Sequence, residues 1–359
     1  VDLDKVEHNA RTIVEMCTRH GIRVTGVTKG LCGDPEVARA MLRGGVDSIG
    51  ESRLENIERL RAGGVDAPVL LLRIPSRSHV ERAVELAVAS CNSELEVVEA
   101  LAAAARRSAR RHGVIVMVDL GDLREGVWPD RAVEVAGRIG GLDGVHVAGL
   151  GANLACFGGV VPTVENMAGL VDLAEQVESA LGERLGCISA GNSSALTLVA
   201  VGAMPARVDH LRIGEAILLG RETIERRPWP GTYQDAVVLH GEVLELARKP
   251  STPVGQRGQD AMGHRPDFVD RGWVDHALVN LGTVDTDVAG LTPVDDRLVV
   301  LGGSSDYVVL DVSGAHGELR VGDDVAFFPG YGAMVTAASS PYVQIRHHPP
   351  GRERGIRRG

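Results

Sequence analysis

Lysine is scarce in this chain. It stands only at Lys5, Lys29 and Lys249, although lysine and arginine together number 38. Genome composition alone could produce that bias, but a lysine inside an apolar segment then asks for a reason. Lys29 is such a residue, closing the strand-like run Val24-Thr-Gly-Val-Thr-Lys29. An amine partly withdrawn from water has a lowered pKa and becomes a nucleophile toward an aldehyde. The chemistry this allows is a Schiff base. The alternative is a structural lysine whose stem packs while its head reaches the rim.

Two later segments could hold an anion. Ser189-Ala-Gly-Asn-Ser-Ser194 is a run of small residues opening a helix, with hydroxyls and exposed backbone N–H groups. Leu211-Arg-Ile-Gly-Glu215 places Gly214 where a backbone could approach a ligand closely. Each alone reads equally well as a serine helix cap or a packing glycine. An amine on a first strand with a phosphate cradle on the last two is more specific. It describes pyridoxal 5′-phosphate (PLP) lying across the mouth of a barrel.

The elements that would position these groups form one repeating unit. Strands are expected at Ile22–Lys29, Asp47–Glu51, Val69–Ile74, Val88–Asn92, Val114–Asp119, His146–Asn153, Cys187–Asn192 and His210–Ala216. Segments with apolar spacing near 3.6 separate them, such as Pro35–Gly45, Glu94–His112, Val164–Leu181 and Ser194–Val201, and Leu3–His20 reads as a helix ahead of the first strand. Eight such units predict a (β/α)8 TIM-type barrel over residues 1–221; a doubly wound open sheet is the alternative, but the pattern shows no switch. Glu222–Thr232, with two prolines and a glycine, reads as a linker. Strand-like runs at Ala236–Ala247, Asp275–Leu281, Leu298–Leu301, Tyr307–Asp311 and Asp324–Phe328 then predict a C-terminal all-β domain over 233–345. A basic, flexible tail is expected over 346–359.

Several of these segments together carry a family resemblance. They are Val24-Thr-Gly-Val-Thr-Lys29, Met117-Val-Asp-Leu-Gly-Asp-Leu-Arg-Glu-Gly126, Gly158-Gly-Val-Val-Pro, Gly191-Asn-Ser-Ser, Leu211-Arg-Ile-Gly-Glu-Ala and Gly302-Gly-Ser-Ser-Asp306. The chain resembles the alanine racemase–like, fold-type III PLP enzymes, and within them the ornithine racemase branch. The resemblance spans nearly the whole chain and is most specific in the Asp-Leu-Gly-Asp-Leu-Arg-Glu-Gly block. It implies that Lys29 carries PLP and acts as an acid/base at the substrate Cα. It implies that Ser193, with the N–H groups of Gly214 and Glu215, holds the phosphate, and that Arg212 faces the pyridine nitrogen. A guanidinium does not deprotonate in proteins, so it keeps that nitrogen unprotonated, which suits reversible proton exchange. Arg124 would lie near the substrate carboxylate, where a bidentate fork fits.

The sequence departs from alanine racemase in places. Where that family has a catalytic tyrosine, this chain reads Leu281-Gly282-Thr283, and a threonine hydroxyl is a poor base near neutrality. Asp285, Asp287, Asp306 and Tyr307 are candidates for the second base, though each also suits an ordinary turn. The family's histidine near the cofactor corresponds to Asn153, and the position of its modified lysine falls near Met117. The acidic residues Asp285, Asp287 and Asp306 could pair with a side-chain ammonium, which favours ornithine or lysine over alanine. The resemblance further implies a homodimer with shared active sites. Alternatives are an alanine or broad-specificity (lysine/arginine) racemase, or a non-catalytic PLP carrier, whose motif Gly50-Glu-Ser-Arg resembles but which lacks a β domain.

Composition limits the field further. The chain has 359 residues and a formal charge of −10, which argues against a nucleic-acid partner. No apolar run is long enough to span a membrane. Cys17, Cys32, Cys91, Cys156 and Cys187 form no CxxC pair, so neither a disulfide framework nor a metal site is expected, and a reducing cytoplasm fits best.

Overall fold

The computed structural model describes residues 1–260 and 262–348. Of the tail expected over 346–359, residues 349–359 lie outside the described residues. The chain divides into two compact units, one over Asp2–Ala236 and the other over Val237–His347.

The first unit opens with α1 (Leu3–Arg19). The strands β1 (Arg23–Val27), β2 (Ser48–Glu51), β3 (Val69–Leu71), β4 (Ala89–Asn92), β5 (His112–Val118), β6 (Val145–Ala152), β7 (Cys187–Ala190) and β8 (His210–Ile213) follow, all parallel, in a closed barrel. The connecting helices are α2 (Pro35–Arg43), α3 (Leu54–Ala62), α4 (Val80–Leu86), α5 (Leu95–Arg107), α6 (Ala132–Gly140), α7 (Val164–Leu181), α8 (Leu196–Ala200) and α9 (Glu215–Leu219). The barrel expected from the repeat is the one observed. Local chemistry fixes the helix ends: the Asp34 carboxylate accepts the Glu36 and Val37 amides ahead of α2, and Thr163 and Asn166 close a reciprocal capping box on α7.

Several element boundaries differ from the sequence expectation: the first strand, expected to run to Lys29, stops at Val27, and the third, expected to run to Ile74, stops at Leu71. The helix expected to run to His112 ends at Arg107, and Ala109 turns at φ 52°, so the strand begins at His112. The last barrel strand stops at Ile213 rather than Ala216. Gly214 leaves the ladder and the apolar run after it winds into α9, which periodicity cannot separate from a buried strand. The segment expected as a linker is a structured turn within the first unit. There the Glu222 carboxylate accepts the amides of Ile224, Glu225 and Arg227.

Strand alternation divides the barrel wall between interior and helix layer. The interior face carries Thr25, Ser48, Ser189, His210 and Arg212, joined by hydrogen bonds. It also carries the apolar cluster Leu70, Cys91, Ile115 and Met117.

The second unit is an antiparallel six-stranded sheet. Its strands are β9 (Leu239–Pro250), β10 (Trp273–Val279), β11 (Leu291–Pro293), β12 (Val299–Gly303), β13 (Val308–Asp311) and β14 (Asp324–Pro329), in the order β11-β14-β9-β10-β13-β12. Val243, Ala277, Val279, Leu310, Val325 and Phe327 alternate into one core, joined by Ala333 and Ala337 of α10 (Tyr331–Ser339). The short β11 and α10 were not expected; Gly330 and Gly332 mask a helix whose contribution to that core is mainly alanine.

Candidate active site

Lys29 follows β1 directly, as the first residue of a 3-10 turn whose N-cap is Thr28. Among the described residues no hydrogen bond or ion pair holds its Nζ. Burial pushes the amine below its usual value, and the Arg124 guanidinium pushes it further. An amine in that state is available as a nucleophile near neutral pH.

The strand end carrying Lys29 is anchored from outside the barrel. The Thr28 hydroxyl donates to Glu51 Oε1 at 2.8 Å, and Glu51 Oε2 accepts from the Ser52 amide and Asn56 Nδ2, each at 3.0 Å. Glu51 is fully buried at the end of β2. Burial raises its carboxyl, while Asn56, Thr28 and Ser52 pull the other way.

The ends of the last two strands lie together. Asn192 caps the turn after β7 by accepting the Ser194 amide, and its Nδ2 donates to Asn153 Oδ1 and to the Leu154 carbonyl. Ser193 Oγ accepts the Ala216 amide at 3.2 Å, so the turn after β7 is tied to the first residues of α9. Gly214 sits where a Cβ would come within 3.1 Å of Val27, which favours glycine at this close approach. The Glu215 side chain pairs with Arg226.

Arg212 lies within the barrel at 5 % exposure. Its Nη1 donates to the Ser189 carbonyl at 3.1 Å and to Ser189 Oγ, and its Nη2 donates to the Ala152 carbonyl at 2.7 Å. No carboxylate pairs with it among the described residues.

Arg124 lies on the loop after β5 and pairs with Glu125. That loop is stapled by two carboxylates. Asp119 accepts the Gly121 and Leu123 amides, and Asp122 accepts those of Cys156, Phe157 and Val160 from the loop after β6. Gly126, at φ 146°, lets the loop return against Asp119, whose amide nitrogen would lie 2.3 Å from an added Cβ.

In the second unit, Thr283 and Val284 donate their amides to the carbonyls of Ser304 and Ser305, bringing two loops together. Gly282 makes this possible, since a Cβ there would strike the Ser305 carbonyl. Asp287 and Asp306 are exposed on these loops. Asp285 is different: it is buried, with Oδ2 accepting the Gly282 amide, so its carboxylate closes the turn. The Thr283 hydroxyl is buried without a partner among the described residues.

The structure thus gathers Lys29, Asn153, Ser193, Arg212, Gly214 and Glu215 at or inside one barrel, with Arg124 on an adjoining loop. Glu51 was visible only as part of a motif, Ser189 only as the start of the small-residue run after β7, and His210 was not singled out. A signal was present: His210-Leu-Arg212 puts two polar residues on one face of a barrel strand.

These residues fit PLP. An amine unpartnered among the described residues stands on the turn after β1, a guanidinium with no carboxylate partner among them stands on β8, and Ser193 is tied to the start of α9 by the Ala216 amide. The buried Ser194 hydroxyl has no partner among the described residues and is a further donor.

A closed parallel barrel with one such lysine, followed by an antiparallel sheet, defines the fold-type III class of PLP enzymes. The family model for the alanine racemase N-terminal domain matches residues 1–222. A lysine racemase from Thermotoga maritima is 39 % identical over 97 % of this chain and 98 % of its own length. An ornithine racemase from Acetoanaerobium sticklandii is 36 % identical over 96 % of this chain and 97 % of its own. The solved alanine racemase from Streptomyces coelicolor A3(2) superposes with a TM-score of 0.72 at 20 % identity, covering 97 % of this chain and 96 % of that one. The chain belongs to the alanine racemase family and is a PLP-dependent amino-acid racemase. No helix among the described residues is long and apolar enough to cross a membrane, and none of the cysteines is in a disulfide.

Proposed function

We propose that the enzyme interconverts L- and D-ornithine by proton exchange at Cα. The observation that carries the catalytic part is the half-buried Lys29 amine, unpartnered among the described residues, on the barrel that also presents Ser193. Bound PLP supplies the electron withdrawal that acidifies the Cα–H bond. Lys29 carries the cofactor and moves the proton on one face of Cα. Ser193 Oγ and the amides of Gly214 and Glu215 hold the phosphate, and Asn153 is placed by Asn192 beside the same site. Arg212 would keep the ring nitrogen unprotonated, and the Arg124 guanidinium, one nitrogen of which pairs with Glu125, would meet the substrate carboxylate.

The substrate assignment is supported by Asp287 and Asp306, two solvent-facing carboxylates on adjoining loops, and by the ornithine racemase relative. A side-chain ammonium needs such a charge partner. Asp285, already committed to its turn, is the weakest of the three acidic candidates. The resemblance implies that the β domain of one subunit completes the other's barrel mouth, and on that reading the second proton carrier would be Asp287, Asp306 or Tyr307. Lysine is the second reading, favoured by the lysine racemase relative. The resemblance also supports a homodimer, to be read from light scattering of the purified protein.

Borohydride reduction and peptide mapping should place the cofactor on Lys29; an adduct on Lys5 or Lys249 would refute the site. D/L ratios over time for ornithine, lysine, arginine, alanine and serine test the substrate. A preference of about 3 kcal/mol gives ornithine more than about a hundredfold advantage in kcat/KM over alanine. If alanine wins, or Asp287→Asn and Asp306→Asn leave the preference intact, the ornithine assignment fails.

A further inference from the structure

Arg212 is a buried cation held by two backbone carbonyls and one hydroxyl, with no carboxylate among the described residues. Its orientation therefore depends on that hydroxyl, Ser189 Oγ, more than a salt-bridged arginine would. Behind Ser189 the hydrogen bonds continue. Ser189 Oγ lies 2.7 Å from His210 Nδ1, His210 Nε2 lies 2.7 Å from Thr25 Oγ1, and Thr25 Oγ1 lies 2.7 Å from Ser48 Oγ. The chain crosses four strands, β7, β8, β1 and β2, inside the barrel.

Proton counting fixes its direction. Arginine can only donate, so Ser189 Oγ accepts from Arg212. The serine has one hydrogen left to give. Among the described residues its remaining partner is His210 Nδ1. An Nδ1–H would fill the second lone pair of Ser189 Oγ and leave the serine hydrogen without an acceptor, so the order that satisfies every group has Nδ1 accepting and Nε2 carrying the ring hydrogen. That hydrogen goes to Thr25, and the Thr25 hydroxyl donates onward to Ser48. A protonated imidazole breaks this order, because Nδ1–H would then point at an oxygen already facing Arg212, bringing two cations onto one hydroxyl.

We infer that Ser189 and His210 are positioning residues for Arg212, with His210 held as the neutral Nε2–H tautomer that orients the Ser189 hydroxyl. This rests on the reading that Arg212 faces the cofactor's ring nitrogen. Nothing in the chain touches the substrate; it acts by fixing the guanidinium plane. Burial, with the Arg212 and Arg23 charges facing the ring, agrees with this by pushing the imidazole down to about 3.

The test uses full-length holoenzyme labelled with 15N-histidine, the His210 signals being assigned by their loss in His210→Gln. The expected result is a protonated Nε2, a bare Nδ1, and no titration between about pH 5.5 and 8, where an ordinary histidine changes charge. An Nδ1–H tautomer, or a titration in that range, overturns the inference. Ser189→Ala, which removes one hydroxyl, supplies a second reading. It should lower kcat about tenfold at little-changed KM, the loss of one positioning hydrogen bond at about 1.4 kcal/mol. It should also move the pH dependence of the bound cofactor's visible absorption in the same direction as Arg212→Lys. A purely structural role would lower the melting temperature and leave that spectrum unmoved. If Arg212→Lys alters the spectrum while Ser189→Ala and His210→Gln do not, the positioning role is wrong and the Arg212 reading stands. If Arg212→Lys leaves the spectrum unchanged, the Arg212 reading fails and the positioning role with it, even where the tautomer is as expected.

Discussion

The two arcs of the barrel interior are built on opposite principles. From β3 to β5 the inward positions are Leu70, Cys91, Ile115 and Met117, an apolar cluster held by packing. From β7 through β8 to β1 and β2 they are Ser189, His210, Arg212, Thr25 and Ser48, a hydrogen-bonded line. A packed apolar wall tolerates small repacking at a cost in stability alone. A polar line inside a barrel is justified only if every member is satisfied, since each orphaned group costs free energy. The contrast separates the part of the wall that holds the barrel together from the part that, on the proposed reading, tunes chemistry.

The largest effect expected is at the mouth of the polar arc. Lys29→Ala should reduce racemisation by at least about a thousandfold, within the span ascribed to a lost acid/base group. Chiral chromatography reads the rate; a variant with most of its activity would remove Lys29 from the mechanism. On the apolar arc, Met117→Ala should destabilise the fold by about 2–5 kcal/mol in urea unfolding. Its bound-cofactor spectrum should match the parent, and a changed spectrum would dissolve the distinction between the arcs. Arg212→Glu should slow racemisation by about a hundredfold and raise the share of transamination products, because a carboxylate would favour a protonated ring nitrogen. An unchanged product ratio would sever Arg212 from the cofactor.

The effect smallest per pH unit is on acid stability. Burial lowers His210 to about 3 and His112 to about 4, against an ordinary value of 6.5. The unfolded chain therefore binds protons that the folded chain refuses below pH 6.5. Stability is full above that value and falls as pH drops through the window, levelling off only below the folded values. The slope is at most about 1.4 kcal/mol per pH unit for each histidine. His112 bonds Ser90, outside the polar line. His112→Gln should flatten the slope without touching the cofactor spectrum, whereas His210→Gln should do both. Urea titrations across pH, set beside absorption spectra, check the pair.

The repeat of apolar strand and amphipathic helix was legible because each strand is buried on both faces and its helix on one. Strand ends were less so. Val27-Thr-Lys29 leaves the barrel ladder at Val27, and Gly214 ends β8, through backbone geometry that apolar periodicity does not encode. Of the site, Lys29 stood out by the rarity of its residue type, and Ser193 and Arg212 through their motifs. The partners that hold them did not. Asn192 and Ala216 meet Asn153 and Ser193 only through tertiary closure, and Glu51 reaches Thr28 across two strands. Asp285 shows the opposite failure: an acidic residue suited to a ligand proved to be closing its own turn.

The polar line has a consequence for how the protein comes into being. It straddles the seam where β8 pairs with β1, with Arg212 beside Thr25 in register. His210 and Thr25 are 185 residues apart in the chain. A growing or refolding chain with seven strands in place holds Lys29 but neither Arg212 nor the α9 amides that complete the cradle. Contacts of such long sequence separation form late, since their loop entropy is overcome only once the rest has condensed. On the proposed cofactor site, an unclosed barrel lacks part of what would hold PLP. A ligand that binds the closed form alone would draw the folding equilibrium toward it.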